Sequence, residues 1–362
     1  MINVTHIRST IGFYGAEKVV FNLFSNIEYS DISLSLITLE NGSEPSSFLR
    51  DKISRLSFMT KKYQLTKKYD RRVIDSIRLQ FSRNETDVVH THDYKSLFYA
   101  LSASRDLALP VIHHMHGYLN NTVSEALYAW LEKYLINRVK IVFVVSRDLK
   151  KRLERSFLVR NKAVRFLANG TQLASSDEVN RINDTDFTNI SMIARLTSEK
   201  NHLLALEAVK KLKERTPKVK LNLYGDGPCK EKIIHFIKFY NLSQYVEVHG
   251  YREDITEIFG TTDILLVTSL TEGLPMVILE AMSHGIAIVS TDVGQIAEVL
   301  DNEKCGMLTL FDPNDISNKL FQLLTNKTKL KKLGENAKDR VDKDYSISSQ
   351  IDVICNAYRE IV

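Results

Sequence analysis

Thr268-Ser-Leu-Thr-Glu-Gly-Leu-Pro-Met-Val-Ile-Leu-Glu-Ala-Met282 directly follows the apolar run Asp263-Ile-Leu-Leu-Val267, and together these two segments decide the fold. The apolar run is typical of a strand buried on both faces of a parallel sheet. Pro275 suits the first position of a following helix, where its missing N–H costs nothing. Because open α/β sheets bind ligands at the carboxyl ends of their strands, the turn between strand and helix is predicted to lie at a ligand site.

Two glutamates flank the Gly-Leu-Pro turn of this segment. Glu272 precedes the predicted helix, and Glu280 lies about one and a half turns into it. The free N–H groups at the start of a helix, together with its dipole, favour an anion. A sugar nucleotide would offer phosphate to these amides and hydroxyl groups to both carboxylates. Acidic residues are also common near helix N-termini without a ligand, and the segment taken alone fits that interpretation equally well.

Strand-like and helix-like segments alternate along the whole chain, which is the pattern of parallel sheets covered by helices. The chain has 362 residues, too many for one ordinary core. The alternation breaks in the polar, turn-rich stretch 169–187, where we place the link between two domains. We therefore predict an α/β protein with two doubly wound domains, residues 1–172 and 173–345, and a final helix within 346–362.

The composition is that of a globular protein, with 44% hydrophobic and 26% charged residues. No apolar run reaches the roughly 18 residues that a membrane-spanning helix needs, and Met1–Arg8 enters a strand pattern without a secretory signal. Three cysteines stand far apart, which argues against a disulfide framework or a structural zinc site. We expect a cytoplasmic protein, soluble or peripheral on the inner face of the cell membrane.

The basic residues are concentrated in the first half of the chain. Residues 1–170 carry 26 Lys and Arg against 16 Asp and Glu, whereas the remainder carries 23 against 28. Basic side chains cluster with tyrosines in segment 61–72 and recur in segment 147–155, and such clusters attract anionic lipid head groups. A solvated helix face explains either segment at least as well. No recognition motif accompanies the charge, so nucleic acid is not expected as a partner.

Two cations and a glycine loop follow other predicted strands of the second domain. Arg195 can fork onto phosphate oxygens and Lys200 can supply a point charge, although solvated loop cations are an equally good interpretation of the pair. The loop at Gly225 lets the backbone approach a ligand. Lys230 replaces the third glycine of the dinucleotide-binding fingerprint, which argues against a nicotinamide-dependent dehydrogenase.

Histidines cluster at the ends of two predicted strands of the first domain. His90 and His92 lie at one strand end, and His113, His114 and His116 lie at the next. Strand alternation sends His114 and His116 to one face and His113 to the other, and no pair has the helical spacing of a zinc site. The sequence therefore predicts no bound metal. His116 is the histidine best placed for a substrate, although most histidines of this kind are structural.

In this order, the segments resemble the retaining glycosyltransferases of family 4, which have the two-domain GT-B fold, over essentially the whole chain. The most specific match is the E-x7-E element formed by Glu272 and Glu280. The family's other elements have counterparts at matching places: Arg195 with Lys200, the Gly225 loop, and His116-Gly117. The resemblance implies two Rossmann-like domains with a cleft between them, the first binding the acceptor and the second the nucleotide sugar. It also implies that the final helix packs back onto the first domain.

The resemblance also implies roles for particular residues. Arg195 and Lys200 would hold the donor diphosphate, and Glu272 the sugar hydroxyls. Glu280 would hold the ribose. The residues implied to take part in the reaction are His116, Arg195, Lys200 and Glu272. The residues implied to bind the donor are Gly15, Arg195, Lys200, Gly225, Glu272, Gly273, Leu274, Met276, Val277 and Glu280. The residues implied to bind the acceptor are Tyr14, His116 and Tyr118.

The activity implied is retaining, metal-independent transfer of a hexose or N-acetylhexosamine, without a cofactor. The donor is a nucleoside-diphosphate sugar, with UDP favoured, and the acceptor is a glycan or a saccharide on a polyprenyl diphosphate, in cell-surface polysaccharide synthesis. Two other functions remain open on the same residues. A sugar-nucleotide epimerase or a phosphorylase would keep the phosphate contacts and change the reaction, and a non-catalytic sensor would bind the nucleotide sugar without transferring it.

Overall fold

The chain divides into two compact units. The computed structural model describes residues 1–10, 15–41, 48–67, 69–116, 123–160, 163–175, 178, 187–252 and 254–362. Unit 1 comprises Met1–Gly170 together with Ile347–Val362, and unit 2 comprises Thr171–Ser346. The sequence prediction placed the division after residue 172 and treated 346–362 as a separate final helix.

Unit 1 is built on one parallel sheet. In chain order its elements are β1 (Ile2–Thr10), α1 (Gly15–Asn26), β2 (Ile32–Asn41), α2 (Phe48–Arg55), β3 (Met59–Leu65), α3 (Arg71–Arg83), β4 (Val88–Thr91), α4 (Tyr94–Ser104), β5 (Val111–Met115), α5 (Val123–Leu135), β6 (Ile141–Val144), α6 (Arg147–Glu154) and β7 (Val164–Phe166). The seven strands found among the described residues lie in the order β3-β2-β1-β4-β5-β6-β7, and every pair is parallel. From β1 to β3 the chain adds strands towards one edge of the sheet, and from β4 to β7 it adds them towards the other edge. The switch point, where such sheets bind ligands, therefore lies between β1 and β4.

Unit 2 repeats this plan with six strands in the part that the structure describes. Its elements are β8 (Thr188–Ile193), α7 (His202–Leu212), β9 (Val219–Tyr224), α8 (Lys230–Phe239), β10 (Val246–Gly250), α9 (Thr256–Gly260), β11 (Ile264–Val267), α10 (Met276–Ser283), β12 (Ala287–Thr291), α11 (Ile296–Val299), β13 (Gly306–Thr309), α12 (Pro313–Thr325) and α13 (Lys327–Asp344). The strands lie in the order β10-β9-β8-β11-β12-β13, all parallel. The switch point of this sheet lies between β8 and β11. The α/β, doubly wound fold class is confirmed.

The last helix, α14 (Ile347–Ile361), belongs to unit 1 although it follows unit 2 in the chain. Its buried Ile351, Ile354 and Tyr358 pack with Val20 and Phe24 of α1 over one face of the unit 1 sheet. Exposed ion pairs join the same helix to Asp31, which precedes β2, and to Arg165 of β7. Arg359 donates two hydrogen bonds to Asp31 at 2.8 and 3.0 Å, and Arg165 donates two to Glu360 at 2.7 and 2.6 Å.

Three details differ from the sequence prediction. Lys61 and Lys62 of segment 61–72 lie in β3, an edge strand whose side chains are mostly exposed, and helix α3 begins only at Arg71. Strand β13 was not predicted, because its four residues include a glycine and one partly exposed side chain. Pro275 is the N-cap residue of α10, with φ −71° and ψ 122°, and the helix begins at Met276.

Among the helices that the structure describes, none is long and apolar enough to cross a membrane.

Candidate active site

The loops that carry the predicted donor residues of unit 2 leave the sheet at its switch point. Strand β8 ends at Ile193 and leads into Arg195 and Lys200, and strand β11 ends at Val267 and leads into Glu272. These two strands are neighbours, with Ile190 of β8 opposite Ile264 of β11. Parallel strands end at the same edge of a sheet, so both loops meet there.

Lys200 and Glu272 form an ion pair where the two loops meet. Lys200 Nζ lies 2.5 Å from Glu272 Oε1, and the side chains are 18% and 11% exposed. Ser269 Oγ donates a second hydrogen bond, 2.6 Å long, to the same carboxylate oxygen. Glu272 is therefore held from both loops while it stays open to solvent. Hydrogen bonds to a carboxylate are among the stronger ones in proteins, and these fix the position of the Glu272 carboxylate.

Arg195 lies beside this pair and is more exposed. Its Nη2 donates a 3.2 Å hydrogen bond to Glu199 Oε1, and the Arg195 side chain is 45% exposed. Partial burial acts to raise the pKa of Glu199. Hydrogen bonds to backbone N–H and Thr197, with the positive charges of Arg195 and Lys200, outweigh this effect and lower that pKa. Glu199 is thus a carboxylate between Arg195 and Lys200. Its negative charge offsets part of their positive charge when no ligand is bound.

The Gly225 loop packs against the loop after β8 so closely that side chains are excluded. Gly225 has φ +145°, and a Cβ there would lie 1.9 Å from the carbonyl oxygen of Ala194. Gly227 has φ +155°, and its Cβ would lie 2.6 Å from the carbonyl oxygen of Leu196. Leu196 N–H donates to the Asp226 carbonyl at 2.9 Å. The glycines therefore set the path of the loop that carries Arg195, which the sequence did not predict.

The turn that follows Glu272 is braced by the loop after β12. Gln295 N–H donates to the Gly273 carbonyl at 3.1 Å, and Thr291 Oγ1 donates to the Ser269 carbonyl at 2.8 Å. Gly294, with φ +61°, approaches so closely that a Cβ would lie 2.2 Å from the Glu272 carbonyl oxygen. The backbone around Glu272 is thereby fixed on both sides of the carboxylate.

Helix α10 begins directly after this turn. Leu274 and Met276 are buried, and Val277 is half-buried in the first turn. The first N–H groups of a helix have no partner within the helix, so this end of α10 can accept an anion. Glu280 lies in the second turn and is buried, 7% exposed. The helix has no acidic residue in its first turn, which removes the interpretation of the segment as a merely acidic helix start.

The switch point of unit 1 carries a second group of charged residues. Asp93, at the N-cap of α4, accepts hydrogen bonds from Ser9 N–H at 2.9 Å and Ser9 Oγ at 2.8 Å. Arg8 pairs with Glu17 at 2.8 Å and lies 3.6 Å from Asp93. Gly15 is the first residue of α1. The predicted acceptor residues Tyr14 and Tyr118 lie outside the described residues.

A column of buried histidines runs through the same unit. His6 of β1 lies opposite His90 of β4, and the His6–His90 and His90–His92 ring centroids are 4.7 and 4.5 Å apart. His114 of β5 and His116, which directly follows that strand, continue the column, with centroids 4.4 Å apart. As alternation predicts, His113 lies on the other face of the sheet; it contacts Thr91 Oγ1 at 2.8 Å and Glu132 Oε1 at 3.0 Å.

The histidines of this column are neutral at physiological pH. Burial, with the nearby charge of other histidines, lowers the pKa of His6 and His114 to about 3. Burial is also the main cause that lowers the pKa of His90, His92 and His116 well below the usual value, and neighbouring histidines add to it. At the deep end, the Tyr358 hydroxyl bonds His90 Nδ1 at 2.6 Å and His6 Nε2 at 3.1 Å.

Several residues of these sites were not identified from the sequence. Ser269 stands three residues before Glu272, a spacing that places a hydroxyl beside a carboxylate in a tight turn and could have indicated it. Gly294 and Asp93 act through contacts distant in sequence, for which a single chain gives no signal. His6 belongs to the column only because β1 lies next to β4.

The geometry of unit 2 defines what it can bind. One fixed, partly exposed carboxylate can accept hydrogen bonds from hydroxyl groups, and two cations with a helix N-terminus can bind phosphate oxygens. The residues that supply these groups, Arg195, Lys200 and Glu272, come from two neighbouring loops of one sheet edge. A ligand with both a polyol and a diphosphate matches this arrangement.

Two family models match adjacent parts of the chain. The model described as Glycosyltransferase Family 4 matches residues 13–175, and the model described as Glycosyl transferases group 1 matches residues 175–340.

Among curated relatives, the UDP-Gal:alpha-D-GlcNAc-diphosphoundecaprenol alpha-1,3-galactosyltransferase of Escherichia coli is 23% identical, over 100% of this chain and 97% of the relative. The putative glycosyltransferase EpsF of Bacillus subtilis is 28% identical, over 82% of this chain and 80% of the relative. Among solved structures, Anabaena Alr3699/HepE in complex with UDP and glucose is similar with a TM-score of 0.83 and 16% identity, covering 99% of both chains. The fold of the two units is the fold of that structure.

Proposed function

This chain belongs to the glycosyltransferases of family 4, which have the GT-B fold, and from that premise we propose that it moves a hexose or N-acetylhexosamine from a UDP-sugar to a glycan or lipid-linked saccharide. The relative from Escherichia coli is named for a UDP-galactose donor and a diphosphoundecaprenol-linked acceptor, and the Anabaena protein was solved with UDP and glucose. These names support a UDP donor and a role in cell-surface polysaccharide synthesis.

One observation carries the proposal for the donor site: the Lys200–Glu272 ion pair at the switch point of unit 2. In the absence of a donor each side chain satisfies the other. A diphosphate competes for the Lys200 ammonium, and sugar hydroxyls can then donate to the Glu272 carboxylate. Ser269 keeps the carboxylate in place when Lys200 turns to phosphate. On this proposal Glu280 binds the ribose, and the backbone from Gly273 to Val277 lies along the sugar and the diphosphate.

The chemistry proposed for this site is electrostatic. When the bond between the anomeric carbon and the phosphate oxygen breaks, negative charge grows on the nucleoside diphosphate. Arg195, Lys200 and the N-terminus of α10 stabilise that charge more than they stabilise the bound donor, which lowers the barrier. We propose that these groups perform the work that a divalent cation does in metal-dependent transferases. His116 would lie at the reaction centre, beside the acceptor.

A panel of nucleoside-diphosphate sugars tests the donor. We expect UDP-sugars to raise the melting temperature, because a ligand at 100 times its Kd stabilises the folded state by about 2.7 kcal/mol. The variant Lys200→Met should lose this shift, and Lys331→Met, which replaces an exposed lysine of α13, should keep it. If no nucleotide sugar shifts the wild-type protein, or if both variants respond alike, the proposed donor site is wrong.

The anomeric configuration of the product is a second test of the proposed function. We propose retention, with the acceptor attacking from the face that the leaving group vacates, because Glu272 is assigned as a ligand of the donor. A glycosidase-like nucleophile would need a second carboxylate about 5 Å from the first. NMR of the first-formed product with the identified donor should show the anomeric configuration of the donor. An inverted product would contradict the mechanism.

A membrane-bound acceptor fits one exposed surface of unit 1. On α5, Leu127, Trp130 and Tyr134 are 60%, 50% and 47% exposed, and their spacing places them along one helix face. Arg138 lies over the Tyr134 ring, 5.7 Å from its centroid. Aromatic side chains beside basic ones suit the head-group region of an anionic membrane. We propose that this face rests on the cytosolic membrane surface.

Vesicle binding tests this surface. Trp130 is the only tryptophan of the chain, so its emission reports insertion directly. We expect a shift to shorter wavelength and co-sedimentation with anionic vesicles, both weakened by salt and by Tyr134→Ala. Phe239→Ala, at an exposed aromatic residue of unit 2, is the matched control and should bind as wild type does. Equally weak binding to neutral and anionic vesicles would rule the surface out.

A further inference from the structure

Thr268 connects the two loops that meet at the proposed donor site. It directly follows strand β11, on the way to Glu272, and its side chain is fully buried. The Thr268 hydroxyl donates to the carbonyl oxygens of Lys200 and Asn201, at 3.1 and 3.0 Å. One side chain of the loop that carries Glu272 thus bonds the backbone of the loop that carries Lys200.

The backbone that Thr268 bonds has an uncommon conformation. Asn201 has φ 51° and ψ 47°, in the left-handed region that residues other than glycine seldom adopt. The Asn201 side chain makes no capping hydrogen bond to helix α7, which begins at the next residue. A conformation of this kind persists only where its surroundings impose it.

The Thr268 hydroxyl is placed to impose this conformation. The carbonyl carbons of Lys200 and Asn201 are the two end atoms of the torsion angle φ of Asn201. A hydroxyl bonded to both carbonyl oxygens therefore restrains that angle directly. Because the hydroxyl is buried, water cannot take its place at the two carbonyl groups without a change in the packing.

The position of Lys200 depends on this restraint. Lys200 is the last residue of the single 3₁₀ turn Ser198–Lys200, whose side chains are half-buried or exposed. Buried residues flank the turn, with Leu196 before it and His202 after it. Between them the backbone contacts of the turn decide its path, so a change in φ of Asn201 would move Lys200 away from Glu272.

The two residues after Thr268 continue the connection between the loops. Ser269 Oγ donates to Glu272 Oε1 at 2.6 Å, and Leu270 N–H donates to the Glu199 carbonyl oxygen at 2.8 Å. The Leu270 bond uses the main chain, so it remains available in any side-chain variant. Thr268 supplies the part of the connection that reaches Asn201, and this part can be removed by substitution.

We propose that Thr268 is a positioning residue for the donor: its hydroxyl keeps Asn201 in the left-handed conformation and thereby keeps Lys200 beside Glu272, where both reach one nucleoside-diphosphate sugar. Thr268 acts on the donor only through Lys200, because its own side chain is buried. This role rests on the proposed function, in which Lys200 binds the diphosphate.

Titration calorimetry with UDP tests this role. Thr268→Val keeps the shape of the side chain and removes the hydroxyl, and we expect the Kd of UDP to rise about 10-fold, as loss of one hydrogen bond can cause. Thr268→Ser keeps the hydroxyl and should restore binding. Thr262→Val is the matched control, because Thr262 precedes β11, is equally buried and donates to the Ile258 carbonyl at 2.7 Å. It should lower stability and leave the Kd unchanged.

A double-mutant cycle with Lys200→Met separates positioning from packing. Once the ammonium is gone, Thr268→Val has no cation left to displace, so it should raise the Kd of UDP less than about 2-fold in that background. A residue that only stabilises the fold would change the Kd by the same factor in both backgrounds. Circular dichroism establishes that each variant folds.

Asn201 provides a second pair of variants that does not depend on a buried site. Valine disfavours the left-handed region strongly and glycine adopts it freely, so Asn201→Val should raise the Kd of UDP more than Asn201→Gly. Asn201 is half-buried, so both variants should fold even if Thr268→Val does not. An equal Kd in the two would contradict the role of this conformation.

A rise in Kd with Thr268→Val that Thr268→Ser restores, that Thr262→Val does not reproduce and that disappears with Lys200→Met supports the proposal. Unchanged binding by Thr268→Val, the same loss with Thr262→Val, no recovery with Thr268→Ser, or an equal effect beside Lys200→Met would each overturn it. Absence of UDP binding by the wild type would overturn the proposed donor site as well, so the two failures are distinguishable.

Discussion

Glu272→Gln is expected to lower kcat/KM about 10²- to 10⁴-fold while the protein stays folded. The substitution keeps the shape of the side chain and removes its charge, so the hydrogen bonds that Ser269 and a donor hydroxyl group would make to this carboxylate lose their ionic acceptor. Each charge-assisted hydrogen bond is worth about 1.5–3 kcal/mol, and two of them correspond to that range of rates. Glu272 lies in a solvent-accessible turn, so water can replace its contacts in the folded state and the melting temperature should move by only a few degrees.

Two further variants test whether the loss of activity is specific to the Glu272 carboxylate. Ser269→Ala removes only one of the two hydrogen bonds, so its loss of kcat/KM should be smaller, about 10- to 100-fold. Glu335→Gln replaces an exposed glutamate that pairs with Lys331 far along α13 and should retain wild-type kinetics. Near wild-type turnover of Glu272→Gln would show that this carboxylate does not bind the donor.

Acidification is expected to unfold unit 1 well before ordinary acid denaturation. The five histidines of the column, His6, His90, His92, His114 and His116, are neutral in the folded protein because burial lowers the pKa of each. In the unfolded chain they take up protons near pH 6.5. Below that pH the unfolded state binds more protons than the folded state, so the free energy of unfolding falls as the pH falls.

The decrease in the free energy of unfolding depends on the number of buried histidines. Each histidine costs about 1.4 kcal/mol per pH unit between its unfolded pKa near 6.5 and its folded pKa, which is about 3 for His6 and His114. Three such groups already cost about 4 kcal/mol per pH unit, against a total domain stability of about 5–15 kcal/mol. The charged side chains around the column are Arg8, Glu17, Asp93 and Glu132. Burial raises the pKa of the Tyr358 phenol well above the usual value, so this group stays neutral.

Urea denaturation measures this slope. Trp130 reports on unit 1 alone, and we expect its unfolding midpoint to fall steeply from pH 7 to pH 5. His114→Leu removes one titrating group, for whose nitrogens the described residues offer no hydrogen-bond partner, so the slope should decrease by about 1.4 kcal/mol per pH unit. Phe239→Ala, in unit 2, should leave the slope unchanged. A midpoint that stays constant over this range would contradict the buried, neutral state of the column.

The strand, turn and helix that surround Glu272 were largely predictable from the sequence because their signals are local. An apolar strand, a Gly-Leu-Pro turn and a helix start lie within a single segment that ends at Met282, and the position of Glu272 follows from that order. What the sequence could not give is the direct contact between Lys200 and Glu272. That contact depends on β8 lying beside β11, although the two strands are separated by two other strands in the chain.

The histidine column shows the same limit more strongly. Alternation along β5 correctly separates His113 from His114 and His116, because side-chain direction is a property of one strand. The cluster itself needs β1, β4 and β5 to be neighbours and needs Tyr358 of the last helix to reach His6. The edge strand β3 was misread for a different reason. Its exposed, lysine-containing sequence lacks the apolar alternation of a strand with one buried face.

The position of α14 in the chain affects the order in which the two units can fold during synthesis. The sheet of unit 1 is synthesised first, yet the helix that covers one of its faces is made last, after all of unit 2. Domains generally fold in the order in which they leave the ribosome. Unit 1 cannot complete its fold until α14 is synthesised, because Val20, Phe24 and the sheet face that carries His6 stay uncovered until Tyr358 packs on them. Unit 2 therefore completes its fold first. A fragment ending at Gly170 would keep that apolar face exposed, and we expect it to aggregate where the whole chain does not.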